Sequence, residues 1–83
     1  MNVKYLHQFS SYNRKEILQS KTCGCFCCLR QFNIDKITKW IDEDEDGVGQ
    51  SALCPFCEVD AILPDKSVTI TTELLAKMKK YWF

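Results

Sequence analysis

The stretch Cys23-Gly24-Cys25-Phe26-Cys27-Cys28 places four thiols in six residues, and Cys54-Pro55-Phe56-Cys57 supplies the other two of the chain. Spacing sorts them. A Cys-x-x-Cys turn brings two sulfurs to one ion from the same side, and two such turns complete the four soft ligands of a tetrahedral Zn²⁺. Cys54 and Cys57 are one pair, with Pro55 stiffening the turn. At the same spacing the first cluster offers only Cys25 and Cys28. Cys25, Cys28, Cys54 and Cys57 therefore predict a structural zinc site. Cys23 and Cys27 are left over. Cys23 reads as a small buried residue beside the site and Cys27 as a thiol pointing elsewhere. The sharper alternative makes one of them an exchangeable ligand or a redox sensor.

A chain of 83 residues has room for one domain, and a core of that size leaves little margin against backbone entropy. A metal or a set of disulfides has to supplement it, and compartment decides which. The N-terminus, MNVKYLHQFSSYNRKE, has neither an uninterrupted apolar region nor a small-residue cleavage site. No apolar run approaches the roughly 20 residues that span a bilayer. The chain is read as cytoplasmic, away from membranes, with reduced thiols. That favours the metal. Because structural zinc contributes about 10–16 kcal/mol of apparent binding free energy in peptides, the metal-free chain is expected to be unfolded or molten.

Net charge is zero, but the charges are segregated. Residues 1–30 carry five bases and one acid, residues 31–65 two bases and nine acids, and residues 66–83 four bases and one acid. The metal pairs border or lie within the acidic block, and phosphate binding depends on an excess of Lys and Arg. Nucleic acid is not the favoured partner, although the two basic ends would form a patch if the fold joined them.

Asn13 and Glu16 have the spacing of a helix N-cap and its partner, which predicts a short helix from about Arg14 to Ser20 with Ile17 and Leu18 inward. Asn33 would cap a second helix over Ile34 to Ile41, since Ile34, Ile37, Trp40 and Ile41 form one apolar stripe. Asp42 to Gly49 reads as an acidic loop. Ser51-Ala52-Leu53 leads as a strand into the second pair of cysteines, Val59 to Leu63 follows as another, and Pro64-Asp65-Lys66 makes a turn. Val68-Thr69-Ile70 is a further short strand. Thr71 or Thr72 caps a closing helix with Leu74, Leu75, Met78, Tyr81 and Trp82 along one face, and its lysines suit the C-terminal end of the dipole.

Rival chemistries fit less well. A glutaredoxin-type redox pair belongs near the start of its fold, whereas only 26 residues follow Cys57. Zinc deaminases place Pro-Cys-x-x-Cys after His-x-Glu, but this chain has Cys-Pro-x-Cys and its sole histidine, His7, precedes Gln8 and Phe9. Four thiolates also close the coordination sphere, and a cysteine hydrolase would need His7 as its base. No enzyme is indicated. Asp42-Glu43-Asp44-Glu45-Asp46-Gly47 resembles the first half of a calcium loop, but the twelfth position, which should be a bidentate Glu, is Leu53. A solvated acidic turn, or an acidic surface for a partner, is the better reading.

With these residues in place, the chain resembles a family of small bacterial and phage proteins often labelled only as cytoplasmic. Their pattern is a helix ending before C-G-C-F-Y-C, then a Phe, an E-I-x-x-W helix, T-A-L-C-P-x-C-G-I-D-S-V and a terminal Y-W-F. The chain matches at Cys23, Gly24, Cys25, Phe26 and Cys28, and at Phe32, Ile37 and Trp40. It matches again at Ala52, Leu53, Cys54, Pro55, Cys57 and Asp60, and at Tyr81, Trp82 and Phe83. It departs at Cys27, where the family has Tyr, and at Glu58, where Gly follows the second pair and eases a positive φ. The resemblance implies a zinc-ribbon or rubredoxin-like fold, and rubredoxin-like knuckles leave iron as the lesser alternative to zinc. It implies no established activity.

The expectation is a single small α+β domain over residues 1–83. It would carry two zinc knuckles on short β-hairpins, with about three short helices packed around them. Its function would be non-catalytic, as an adaptor, regulator or inhibitor, with a phage-encoded or a host regulatory role both fitting. It would bind a protein partner through Asp42, Glu43, Asp44, Glu45 and Asp46 or through Tyr81 and Phe83, since an aromatic at a helix end is a ready anchor. The alternatives are a nucleic-acid-binding ribbon using Arg14, Lys15, Lys21, Lys77, Lys79 and Lys80, and a thiol-based redox or metal sensor. No motif encodes the partner's identity or the oligomeric state.

Overall fold

The computed structural model describes residues 2–83. The lead-in that sequence left unassigned is helical: α1 spans Val3–Leu6, capped by the Asn2 carboxamide, and a 3₁₀ turn, His7–Ser10, continues it. A five-residue helix, α2, covers Arg14–Leu18. Five short strands follow: β1 Thr22–Cys25, β2 Gln31–Asn33, β3 Trp40–Glu43, β4 Gly49–Ala52 and β5 Ile62–Pro64. Helix α3, Thr72–Trp82, closes the chain, with the Thr71 hydroxyl accepting from the Leu74 amide at its N-cap. The class is α+β with antiparallel sheets.

β1 is central in the larger sheet, order β2-β1-β5, and β3 and β4 form a separate hairpin. Cys23 pairs with Phe32 on one side of β1 and with Pro64 on the other, and Cys25 faces Ile62. The core beneath gathers Ile17, Phe26, Ile62, Leu63, Leu74, Leu75 and Met78, all at most 1 % exposed. Gly24 is required here. A Cβ would come within 2.8 Å of Ile70 Cγ2 and 3.0 Å of Leu75 Cδ1, so the bare backbone lets the segment leading into α3 sit directly on β1.

The expected helix over Ile34–Ile41 does not form. Ile34–Lys36 is a single 3₁₀ turn, Ile37 is already extended, and Trp40–Glu43 is strand β3. Eight residues are too few to hold a helix without a buried face, and Trp40, Ile41 and Thr38 all favour strand. Pairing with β4 satisfies their backbone instead, with Trp40 opposite Ala52 and Ile41 opposite Ser51. The acidic loop is thus the β3–β4 hairpin and its turn, in which Gly47 takes φ 78°. Val68–Ile70 is irregular rather than a strand. Leu18 is 58 % exposed, not inward, and Tyr81 and Trp82 leave the buried face of α3 after Met78.

Asn13 has a different task from the cap that its spacing suggested. Its side chain makes no capping bond. It is 2 % exposed, donates to the carbonyls of Phe9 and Ile62, and accepts from the Ala52 amide. One carboxamide therefore ties the N-terminal segment to strands of both sheets. Ser51, fully buried beside it, donates to Asp42 and accepts from the Tyr12 amide, where Tyr12 turns through φ 49°. Asn13→Ala leaves two carbonyls and an amide buried without partners. It is expected to cost about 2–4 kcal/mol, read as a lowered midpoint in chemical denaturation with an unchanged slope.

Candidate metal centre

The first Cys-x-x-Cys turn closes a hairpin of paired strands, whereas the second, expected on a hairpin of its own, joins β4 and β5 of different sheets; the two turns are nevertheless built alike. In the first, the Cys25 amide donates to the Arg30 carbonyl at 2.9 Å and the Leu29 amide to the Cys25 carbonyl at 2.8 Å. In the second, the Cys54 amide donates to Val59 at 3.0 Å and the Glu58 amide to Cys54 at 2.9 Å. The residue after each second cysteine turns left-handed, Leu29 at φ 66° and Glu58 at φ 61°. The amides of Cys27 and Cys28 point at Cys25 Sγ from 3.4 and 3.5 Å, and the Phe56 amide points at Cys54 Sγ from 3.4 Å. Amides so directed stabilise thiolate.

The strand order brings the turns together. The first turn closes the β1–β2 hairpin, and the second joins β4 to β5, which lies directly beside β1. A further bond, from the Phe26 amide to the Ala61 carbonyl at 3.0 Å, laces the two loops. As a result Cys25 Sγ lies 3.6 Å from Cys57 Sγ, and Cys28 Sγ 3.6 Å from Cys54 Sγ. All four sulfurs fall within 4.8 Å of one another. A tetrahedron with metal–sulfur bonds of about 2.3 Å has edges of about 3.8 Å. The four thiols thus surround a space of the size a metal ion fills, and they can hold one.

The remaining thiols stand apart from this group. Cys23 is fully buried and its Sγ faces the Phe32 carbonyl at 3.7 Å. Burial, with Asp65 and Cys54 adding to it, pushes this thiol up to about 12. Cys27 is half-buried, and it contributes its amide rather than its sulfur. Within the cluster, burial pushes Cys25 up against the opposing amides of Cys28 and Cys27, and pushes Cys54 up against those of Cys57 and Phe56. Burial also raises Cys28. There the Arg30 amide and the neighbouring thiols of Cys54, Cys25 and Cys57 outweigh it, and the thiol falls to about 7.

The five acids of the hairpin divide. Asp42 takes the left-handed conformation and accepts from the Ser51 hydroxyl at 2.7 Å. Asp44 accepts from the Asp46 and Val48 amides and from Gln50 Nε2, so it shapes the turn. Glu43, Glu45 and Asp46 are left exposed. Strands rather than helices flank the turn. At the other end of the chain, Tyr81 and Phe83 are 48 % and 63 % exposed. What sequence did not reveal is their setting. Trp82 donates its indole N–H to the Val3 carbonyl at 3.1 Å and stacks on His7 at 4.1 Å, so α1 and the end of α3 meet. Val3, Lys77, Lys80 and Tyr81 line an open groove there of about 400 Å³. Arg14 is diverted from any basic patch, since its guanidinium lies over Trp40 and donates to the Gly49 carbonyl.

Comparison with family models, with curated proteins and with solved structures returns no match. No helix is long and apolar enough to cross a membrane among the described residues.

Titration with Zn²⁺ against a chromophoric chelator is expected to show one equivalent per chain. Serine at Cys25, Cys28, Cys54 or Cys57 should weaken binding by more than about 100-fold, while Cys23→Ala and Cys27→Ser keep the stoichiometry. An ion must displace the protons that Cys25 and Cys54 hold at neutral pH, so affinity should fall as pH falls and fall faster below pH 7, where Cys28 also protonates. Glu58→Gly relieves a left-handed side chain at the loss of only an exposed ion pair with Lys39. It should raise stability by about 0.5–1 kcal/mol, measured by denaturant unfolding of the metal-loaded chain.

Proposed function

We propose that this chain is a zinc-stabilised, non-catalytic protein-interaction module of zinc-ribbon type. In this reading Cys25, Cys28, Cys54 and Cys57 hold structural Zn²⁺, and the surface where the termini meet recognises a partner protein. The observation that carries it is the aromatic and basic face at the end of α3. Tyr81, Trp82 and Phe83 are 48 %, 39 % and 63 % exposed, and Tyr5, on α1, is 59 % exposed. A small domain gains nothing in stability by leaving large aromatic side chains in water, and three of them in succession at one helix end make a patch of the kind that marks binding surfaces. Four thiolates around zinc leave no open coordination position for substrate, and His7, the sole imidazole, is stacked against Trp82.

A second reading finds some support in the same face, since α1, which carries Lys4, meets α3, which carries Lys77, Lys79 and Lys80. Lysines interleaved with aromatics suit stacked bases. The protein reading is preferred because the groove between Lys77 and Lys80 is walled by Val3 and Tyr81 rather than by a continuous cationic track.

A photo-crosslinking amino acid at position 83, introduced in the native host, tests the reading. A discrete protein adduct is expected, absent when the probe is moved to exposed Leu18 and lost when Tyr81 and Trp82 are both replaced by Ala. Adducts only to nucleic acid, or none at all from either position, would overturn it.

A further inference from the structure

The groove lined by Val3, Lys77, Lys80 and Tyr81 has an apolar wall and a cationic rim. Its lysines are exposed, and the only ion pair among the described residues joins Lys39 to Glu58, so neither Lys77 nor Lys80 is neutralised within the molecule. The β3–β4 hairpin carries the opposite chemistry and is equally unneutralised. Asp42 and Asp44 are engaged in holding the turn, which leaves Glu43, Glu45 and Asp46 exposed without an ion-pair partner. Beside them Ile41 and Val48 are 36 % and 38 % exposed. An acidic tip flanked by aliphatic side chains is what a lysine-rimmed apolar groove would take.

We propose that the groove receives the acidic hairpin of a second copy of this chain. Lys77 and Lys80 then meet Glu43, Glu45 and Asp46, while an aliphatic side chain of the hairpin enters between Val3 and Tyr81. The proposal rests on the reading above that the end of α3 is the recognition surface, and it names the partner. A single such contact would propagate head to tail. Reciprocal exchange, with each copy giving one hairpin and one groove, closes the assembly at two. Side-chain charges that sum to zero, made negative overall by four thiolates around Zn²⁺, give the loaded chain no overall attraction for a polyanion but leave two opposite patches free to find each other. That favours a second copy over nucleic acid as the occupant.

Sedimentation equilibrium of the full, metal-loaded chain decides the matter, run from about 10 μM to 1 mM at about 50 mM and again at about 500 mM salt. A monomer–dimer equilibrium is expected, with the dissociation constant rising at least about tenfold between the two salts. Lys77→Glu with Lys80→Glu should be monomeric, as should Glu43→Lys with Glu45→Lys. An equimolar mixture of these two variants should recover the dimer, and so should one chain carrying all four substitutions. Recovery in the fourfold variant also shows that the substitutions leave the fold intact. A chain that stays monomeric at 1 mM, a dimer indifferent to salt and to charge reversal, or open-ended growth would each overturn the proposal. If the chain is monomeric but position 83 still crosslinks to a protein of another mass, the docking surface stands and only its self-recognition fails.

Discussion

The convergence of two cysteine turns on one point organises everything else in this molecule. Four thiols within 4.8 Å join the β1–β2 hairpin to the loop between β4 and β5. Left as thiols, they are a poor core. Burial opposes ionisation of Cys25 and Cys54, while backbone amides are aimed at the same sulfurs as though a thiolate were there. A cation at the centre would reconcile the two tendencies, supplying the compensating charge that burial alone withholds. Structural zinc of about 10–16 kcal/mol is as large as the whole stability of an ordinary domain.

The cysteine cluster draws no member from residues 2–20, and polar tethers act there instead. Asn13 bonds to Phe9, Ile62 and Ala52, and Ser51 links Tyr12 to Asp42, in a region where α1 and α2 are too short to persist alone. Every buried side-chain polar atom among the described residues has a partner. A fully satisfied network fixes one arrangement where apolar contact by itself would allow several. The left-handed turns at Tyr12 and Asp42 fall next to these bonds, so the tethers also hold the backbone in conformations it would otherwise leave.

How far sequence could foretell this depends on how local the signal is. The four ligand candidates were legible because ligand spacing is a property of a single turn, and the second knuckle looked the same wherever it sat. The closing helix was legible too, since Thr71, Leu74, Leu75 and Met78 state a cap and a face within eight residues. The stretch from Ile34 to Ile41 was not. Its apolar spacing fits a helix, but its backbone pairs with Gly49–Ala52 across a turn whose geometry depends on Asp44 and Gly47. Asn13 misled for the same reason. A side chain that spans to Ala52 and Ile62 carries no trace of those partners in its own neighbourhood. The groove was invisible altogether, being made by the two ends of the chain.

Phe26 connects the cysteine cluster to the aromatic end of α3. It follows a ligand candidate directly, its amide laces the two knuckles, and its ring is almost wholly buried. That ring lies 5.8 Å from Phe83 and 6.0 Å from His7, which in turn stacks on Trp82. The exposed aromatic face therefore rests on a side chain whose backbone is set by the cysteine cluster. Cores transmit such displacements because they are close-packed. Anything that loosens Cys25 withdraws the floor beneath Phe83 and His7, so the order of the knuckle and the shape of the terminal surface cannot be independent.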